Sequence, residues 1–279
     1  MLRPPSSQAI QQQVQLALTE DIGSGDITAE LIPANTQVQG VIVCREAAIL
    51  CGQPWLNEVF RQLDSKVEIH WYFSDGDRLQ TNDRICSIKG DARPILSGER
   101  TALNFIQTLS GIATTTTHYV QQLAGTSCKL LDTRKTIPGL RLAEKYAVRC
   151  GGGVNHRMGL YDAYLIKENH ITAAGSIKAA IQTAREKQPD VWIEVEVETL
   201  SELQQAIDAS AERILLDNMD TEMLQKAVAL TQGRAELEAS GGIELSRLPT
   251  IAATGVDFIS TGAITKHLQA IDFSLCLLD

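Results

Sequence analysis

Two periodicities of apolar residues divide the chain. Between residues 38 and 90 they recur at every second position: Val41 and Val43, then Val67, Ile69, Trp71 and Phe73 alternating with Glu68, His70 and Tyr72, then Ile85 and Ile88. That spacing predicts antiparallel strands with one covered face, His70 lying on the open one. Helical spacing occupies residues 10–18 and 53–63. Glu20, Asp21 and Asp26 read as loop and capping residues, and Asp75-Gly76-Asp77 as a turn. Residues 94–123 read as two helices broken near Ser110-Gly111. Beyond Cys128 the pattern changes. Short apolar runs at 128–131, 163–166, 191–197, 213–216, 235–239 and 256–260 alternate with helical stretches at 176–187, 201–210, 221–231 and 245–253. Strands that are apolar on both faces, each followed by a helix, make a parallel sheet covered by helices. No Gly-x-Gly-x-x-Gly follows a first strand, so the expectation is an incomplete β/α barrel behind a small α+β unit rather than a dinucleotide fold.

What stands at the C-terminal end of each strand is sorted by chemistry. In order these ends are Asp132-Thr133-Arg134-Lys135, Lys167-Glu168-Asn169, Glu196-Val197-Glu198, Asp217-Asn218, Ser240-Gly241-Gly242 and Thr261-Gly262-Ala263. In a β/α barrel they converge on one mouth, where barrel enzymes place their chemistry. Cations come first, carboxylates next and glycine turns last. Arg134, Lys135, Arg157 and Lys167 suit carboxylates or a diphosphate. Glu196 and Asp217 suit sugar hydroxyls or a hydrated Mg²⁺. The two glycine turns offer backbone N–H groups to a phosphate. His156, beside Arg157, reads either as a ligand contact or as a structural imidazole, and His118, His170 and His267 as structural. Arg100 and Asn104 share a helix face, which either meets solvent or reaches a pocket.

Charge narrows the ligand. The chain carries 25 Lys+Arg against 34 Asp+Glu, a formal net charge of -9, yet residues 131–170 hold seven cations and four carboxylates. A local cationic pocket in an acidic chain fits a small anion and not nucleic acid or an anionic membrane, which need an extended basic face. Arg141, Lys145 and Arg149, at i, i+4 and i+8, read as a solvated helix face. The six cysteines are scattered without metal-ligand spacing and read as buried thiols. With no apolar leader at the N-terminus and no run of membrane-spanning length, the expectation is a soluble cytoplasmic protein.

The segments GDIT (25–28), SGERTALN (97–104), LDTRKTIPGLR (131–141), GGGVNHR (151–157), LIKENH (165–170), EVEVE (194–198), LLDN (215–218), EASGGI (238–243) and STGAITK (260–266) resemble the bacterial quinolinate phosphoribosyltransferases from about residue 20 onward. The resemblance implies that quinolinate and phosphoribosyl diphosphate give nicotinate mononucleotide, diphosphate and CO₂ in NAD biosynthesis, with Mg²⁺ and no organic cofactor. It implies an N-terminal sandwich domain (1–108), a barrel (109–267) and a C-terminal segment (268–279) returning to the first domain. Arg134, Arg157 and Lys167 are then expected on the quinolinate carboxylates, with His156 nearby and Arg100 entering from the partner of a homodimer. Thr133 and Lys135 complete the first-strand loop, Lys135 toward the diphosphate. Glu196 and Asp217 take the ribose and Mg²⁺, while Ser240, Gly241, Gly242, Thr261, Gly262 and Ala263 take the 5′-phosphate. Lys135, Lys167, Glu196 and Asp217 are the expected catalytic groups. Three alternatives stay open: a phosphoribosyltransferase for another base, a Schiff-base aldolase using Lys167, and a nucleotide-binding sensor on the same scaffold.

Overall fold

The computed structural model describes residues 2–278. In chain order its elements are α1 (Ser7–Ile22), β1 (Gln37–Cys44), β2 (Ala48–Ile49), α2 (Gln53–Leu63), β3 (Glu68–Trp71), β4 (Arg78–Leu79), β5 (Arg84–Asp91) and α3 (Ala92–Gln121). There follow β6 (Lys129–Leu131), α4 (Arg141–Cys150), β7 (Tyr164–Ile166), α5 (Glu168–Ala174), α6 (Ile177–Lys187), β8 (Ile193–Val197) and α7 (Leu200–Asp208). The chain ends with β9 (Arg213–Asp217), α8 (Thr221–Thr231), β10 (Glu236–Ser240), α9 (Leu248–Ala252), β11 (Phe258–Ser260), α10 (Ala263–Lys266) and β12 (Phe273–Leu277). They form two compact units. The first contains the chain through Thr117, Thr136–Gly152 and the residues from Ile264 on; the second contains His118–Lys135 and Gly153–Ala263. Helix α4 belongs to the first unit.

The first unit is built on an antiparallel sheet in the order β12-β1-β5-β3. Its edge strand β12 comes from the far end of the chain, with Gly40 opposite Leu277. The N-terminus of α2 lacks a side-chain cap of its own, since its N-cap is Gly52. Asp75 supplies one from the 75–77 turn by accepting the Gly52 and Gln53 N–H groups at 3.0 and 3.2 Å. Tyr146 donates its hydroxyl to the same carboxylate at 2.8 Å.

Two expectations fail in this unit. Residues 92–121 form one continuous helix, not two. Ser110 and Gly111 stand inside it because they let other backbone approach: the Ser110 hydroxyl accepts from Cys51 N at 3.0 Å and donates to Cys51 O at 3.2 Å. A Cβ on Gly111 would lie 2.2 Å from the Gln269 carbonyl oxygen. The second failure is the solvated face of α4. Lys145 and Glu144 are both 0 % exposed, so the i, i+4 row records packing rather than solvent. Arg149 lies over the Tyr146 ring at 5.6 Å, and Arg141 reaches the Thr136 hydroxyl at 3.1 Å. The cysteine reading holds for five thiols, all buried; Cys276 is half-exposed, and all six are free.

The second unit is the expected incomplete barrel. Six parallel strands run in the order β6-β11-β10-β9-β8-β7, and Val154 adds a single parallel bridge to Leu131 at the β6 edge. Its strands are not uniformly apolar. In β8, Ile193, Val195 and Val197 face the covering helices, while Glu194 and Glu196 face inward with Arg213 and Leu215, their neighbours in register. No helix among the described residues is long and apolar enough to cross a membrane.

Because Gly111 has only backbone to push against, Gly111→Ala is expected to lower stability by about 1–3 kcal/mol, measured as a lower urea midpoint with an unchanged slope.

Candidate active site

The C-terminal ends of the barrel strands bring the predicted residues of the second unit to one rim. Loop 132–135 leaves β6 and loop 154–157 lies beside it. Asp132, 0 % exposed, joins them: its Oδ1 accepts the His156 N–H at 2.8 Å and its Oδ2 the Asn155 amide at 2.6 Å. The tie holds together the two loops that carry Arg134 and Arg157. Arg157 is held below the usual arginine range, first by burial and then by the charge of Arg134. Arg157 donates through Nη1 to the Ala163 carbonyl at 3.3 Å. Asp162 shapes the following turn by accepting the Met158 and Gly159 N–H groups at 2.6 and 3.0 Å.

Lys167 ends β7, and its ammonium is paired with Glu196 Oε2 at the end of β8. Its backbone N–H is held by His170 Nδ1 at 3.0 Å, which gives His170 a capping role at the start of α5. Asp217 closes β9 beside Ser240, its partner in register, and accepts from the Asn218 amide at 2.7 Å. Glu196 and Asp217 therefore present carboxylate oxygens from neighbouring strands on the inward face.

The glycine turns meet this chemistry directly. Gly241 adopts φ +99°, and a Cβ there would lie 2.2 Å from Asn218 Oδ1. A Cβ on Gly262 would lie 2.8 Å from Lys135 Cδ and 3.3 Å from Thr133 Oγ1. The stem of Lys135 thus rests on the bend after β11. Thr133 Oγ1 fixes the same loop by accepting the Lys135 N–H at 3.0 Å, and Thr261 Oγ1 accepts the Ala263 N–H at 3.2 Å. Ser260 donates to Ser240 across the strands at 3.1 Å, and Thr261 N bonds to the Leu131 carbonyl at 3.2 Å. Of the predicted residues, Arg100 alone lies in the first unit. It is exposed on α3, as is Asn104 one turn on.

Beneath the rim lie two carboxylates that the strand-end reading missed. His156, 8 % exposed, points its Nε2 at Glu194 Oε2 (2.8 Å) and Glu238 Oε2 (3.4 Å), both at 0 % exposure. Burial opposes charge on His156, but the two carboxylates outweigh it and move the imidazole above its ordinary value. Burial, reinforced by the charge of Glu238, raises Glu194 to about 7. Burial also opposes ionisation of Glu238, but His156, Ser260 and Glu194 outweigh it and hold this carboxyl below its ordinary value. Arg213 extends the network, 2.8 Å from Glu236 and 3.8 Å from Glu238, with its guanidinium 4.0 Å from the Phe258 ring centre. The alternation in EVEVE and LEAS carried the signal: a strand covered on both faces that still alternates points its polar set into the barrel.

The description "Quinolinate phosphoribosyl transferase, N-terminal domain" matches residues 26–110, and its C-terminal counterpart matches 112–276. The chain belongs to the quinolinate phosphoribosyltransferase family. It is 45 % identical over 257 residues to a probable nicotinate-nucleotide pyrophosphorylase [carboxylating] of Bacillus subtilis, covering 92 % of this chain and 89 % of the relative. It is 41 % identical over 286 residues to the nicotinate-nucleotide pyrophosphorylase [carboxylating] of Mycobacterium leprae, covering 99 % and 100 %. Among solved structures, the nicotinate-nucleotide pyrophosphorylase of Francisella tularensis superposes with a TM-score of 0.97 at 50 % identity, covering 100 % of this chain and 99 % of that one. The Ehrlichia chaffeensis pyrophosphorylase follows the same family fold at 40 % identity and TM-score 0.91, covering 96 % and 98 %.

In this family member Asp132 accepts from two donors at once, so Asp132→Asn turns one acceptor into a donor facing a donor. The expected cost is roughly 1–3 kcal/mol, measured by urea unfolding, together with weaker binding of an aromatic dicarboxylate by calorimetry.

Proposed function

We propose that the chain is a decarboxylating quinolinate phosphoribosyltransferase, converting quinolinate and phosphoribosyl diphosphate into nicotinate mononucleotide, diphosphate and CO₂ on the path to NAD. The observation that carries the reading is the packing of Lys135 on the Gly262 bend, with Arg134 and Arg157 on the two loops that Asp132 joins: cations for a diacid and backbone amides for a phosphate share one rim. Arg134, Arg157 and Lys167 hold the two carboxylates of quinolinate and aim its ring nitrogen at the ribose. The glycine turns at Ser240, Gly241, Gly242 and at Thr261, Gly262, Ala263 hold the 5′-phosphate.

The nitrogen–carbon bond forms as the bond from ribose carbon to diphosphate breaks, and positive charge builds on the sugar. Glu196 and Asp217 stabilise that charge, and Lys135 meets the departing diphosphate. Their carboxylate oxygens, on the inward face of neighbouring strands, suit a hard cation held directly or through water. Mg²⁺ bound there would neutralise the leaving group. The ring nitrogen of the adduct is quaternary and positive. When the adjacent carboxylate leaves as CO₂, its bonding pair stays on the ring carbon beside that nitrogen, which stabilises it until a proton arrives. Orientation among fixed cations is the protein's main contribution to this step.

The working form in this reading is a homodimer, with Arg100, exposed on α3, entering the second copy's site. A Schiff-base aldolase would use Lys167 as an amine nucleophile, whereas Lys167 here stands against the Glu196 carboxylate in a rim built for anions.

Labelled CO₂ is expected from carboxyl-labelled quinolinate only when phosphoribosyl diphosphate and Mg²⁺ are both present, and chelation should stop it. No release with all three present would overturn the proposal. Arg157→Ala is expected to weaken quinolinate binding by at least about 30-fold, from the roughly 2–5 kcal/mol lost when one member of a buried charge pair is removed. Calorimetry checks the affinity, and circular dichroism checks that the fold is intact.

A further inference from the structure

We propose that His156 is a positioning residue acting through Arg157, and that Glu194 and Glu238 hold it in that role from inside the barrel. The inference rests on the proposed quinolinate site and adds a support to it.

Both imidazole nitrogens are already used. Nε2 faces Glu194 at 2.8 Å and Glu238 at 3.4 Å. Nδ1 accepts the backbone N–H of Arg157 at 2.7 Å. The backbone N–H of His156 is fixed by Asp132 at 2.8 Å, and its ring lies against Trp192 at 5.9 Å between centres. The residue is 8 % exposed, so its ring offers a ligand neither a nitrogen nor a face. An acceptor Nδ1 requires the tautomer whose proton sits on Nε2, and two carboxylates opposite Nε2 select that tautomer. A line of contacts therefore runs from the barrel interior through the imidazole to the peptide N–H of Arg157, a residue of the proposed quinolinate site. The two carboxylates hold the ring proton on the Nε2 side, and the Arg157 contact leaves Nδ1 as the acceptor.

The test combines a double-mutant cycle with a spectroscopic reading. His156→Asn and Arg157→Lys are made singly and together, and quinolinate affinity is measured by calorimetry. Each single change is expected to weaken binding about tenfold, as for removal of other groups that orient a ligand-binding side chain, and the double variant to bind no worse than the weaker single. Multiplying losses would mean that His156 meets the ligand independently and would overturn the inference. In ligand-free protein, ¹⁵N imidazole spectra are expected to show Nδ1 unprotonated and Nε2 protonated. Glu238→Gln and Glu194→Gln, each keeping an acceptor oxygen, should shift the Nε2 signal and lower quinolinate affinity although neither residue touches the ligand. A proton on Nδ1 in the ligand-free spectrum would also overturn the inference. Failure of the wild-type chain to bind quinolinate would instead refute the proposed function, and the ligand-free spectra would still decide the role of His156.

Discussion

Holding like charges together without a ligand is the constraint on which the site depends. Like charges on neighbouring loops repel, on the scale of about 4 kcal/mol for a 4 Å separation at an effective dielectric of about 20, and nothing in Arg134 or Arg157 alone offsets that repulsion. The opposing tie is Asp132, which spans the gap between loop 132–135 and loop 154–157 with two charge-assisted hydrogen bonds. Burial strengthens both the repulsion and the tie, and the hydrogen bonds give the tie its direction.

The barrel interior extends the same economy of charge. Its inward face carries Glu194, Glu196, Arg213, Asp217, Glu236 and Glu238 where most such barrels pack branched aliphatic residues. A polar core of this kind stabilises little, since desolvation offsets most of the attraction. It fixes directions. Apolar burial in the fold comes instead from the outward faces of the strands, such as Ile193, Val195, Ile214 and Leu216, all at 0 % exposure beneath the helices.

Much of the architecture was legible because local and tertiary signals agree. Helices α2 and α8 begin and end where spacing and capping put them, Pro54 opening one and the Asp220 carboxylate, accepting Met223 N at 2.8 Å, opening the other. The rim was legible for a topological reason: in parallel β/α units every strand delivers its C-terminal end to the same side. Ser110-Gly111 misled because a Ser-Gly pair reads as a break when its neighbours are unknown, and here the neighbour is the backbone at Cys51 and Gln269. Lys145 misled in the same way, since helical spacing reports a shared face but not what covers it. Glu194 and Glu238 escaped notice as strand residues, although their two-residue period within otherwise apolar strands was visible. The direction of the His156 ring was beyond any pattern, because it depends on which strands become neighbours.

The excursion of residues 136–152 out of the barrel unit has a consequence for how the chain reaches its native state. Loop 132–135 and loop 154–157 belong to one unit, yet the segment between them is built into the other. Strand β6 pairs in parallel with β11, so the barrel sheet is completed only when residues 129–131 find residues 258–260. Neither unit is an uninterrupted stretch of sequence, and the two cannot be separated by a single cut. Synthesis from the N-terminus therefore yields no finished module until nearly the whole polypeptide has emerged, which places this chain among slow-folding, high-contact-order topologies.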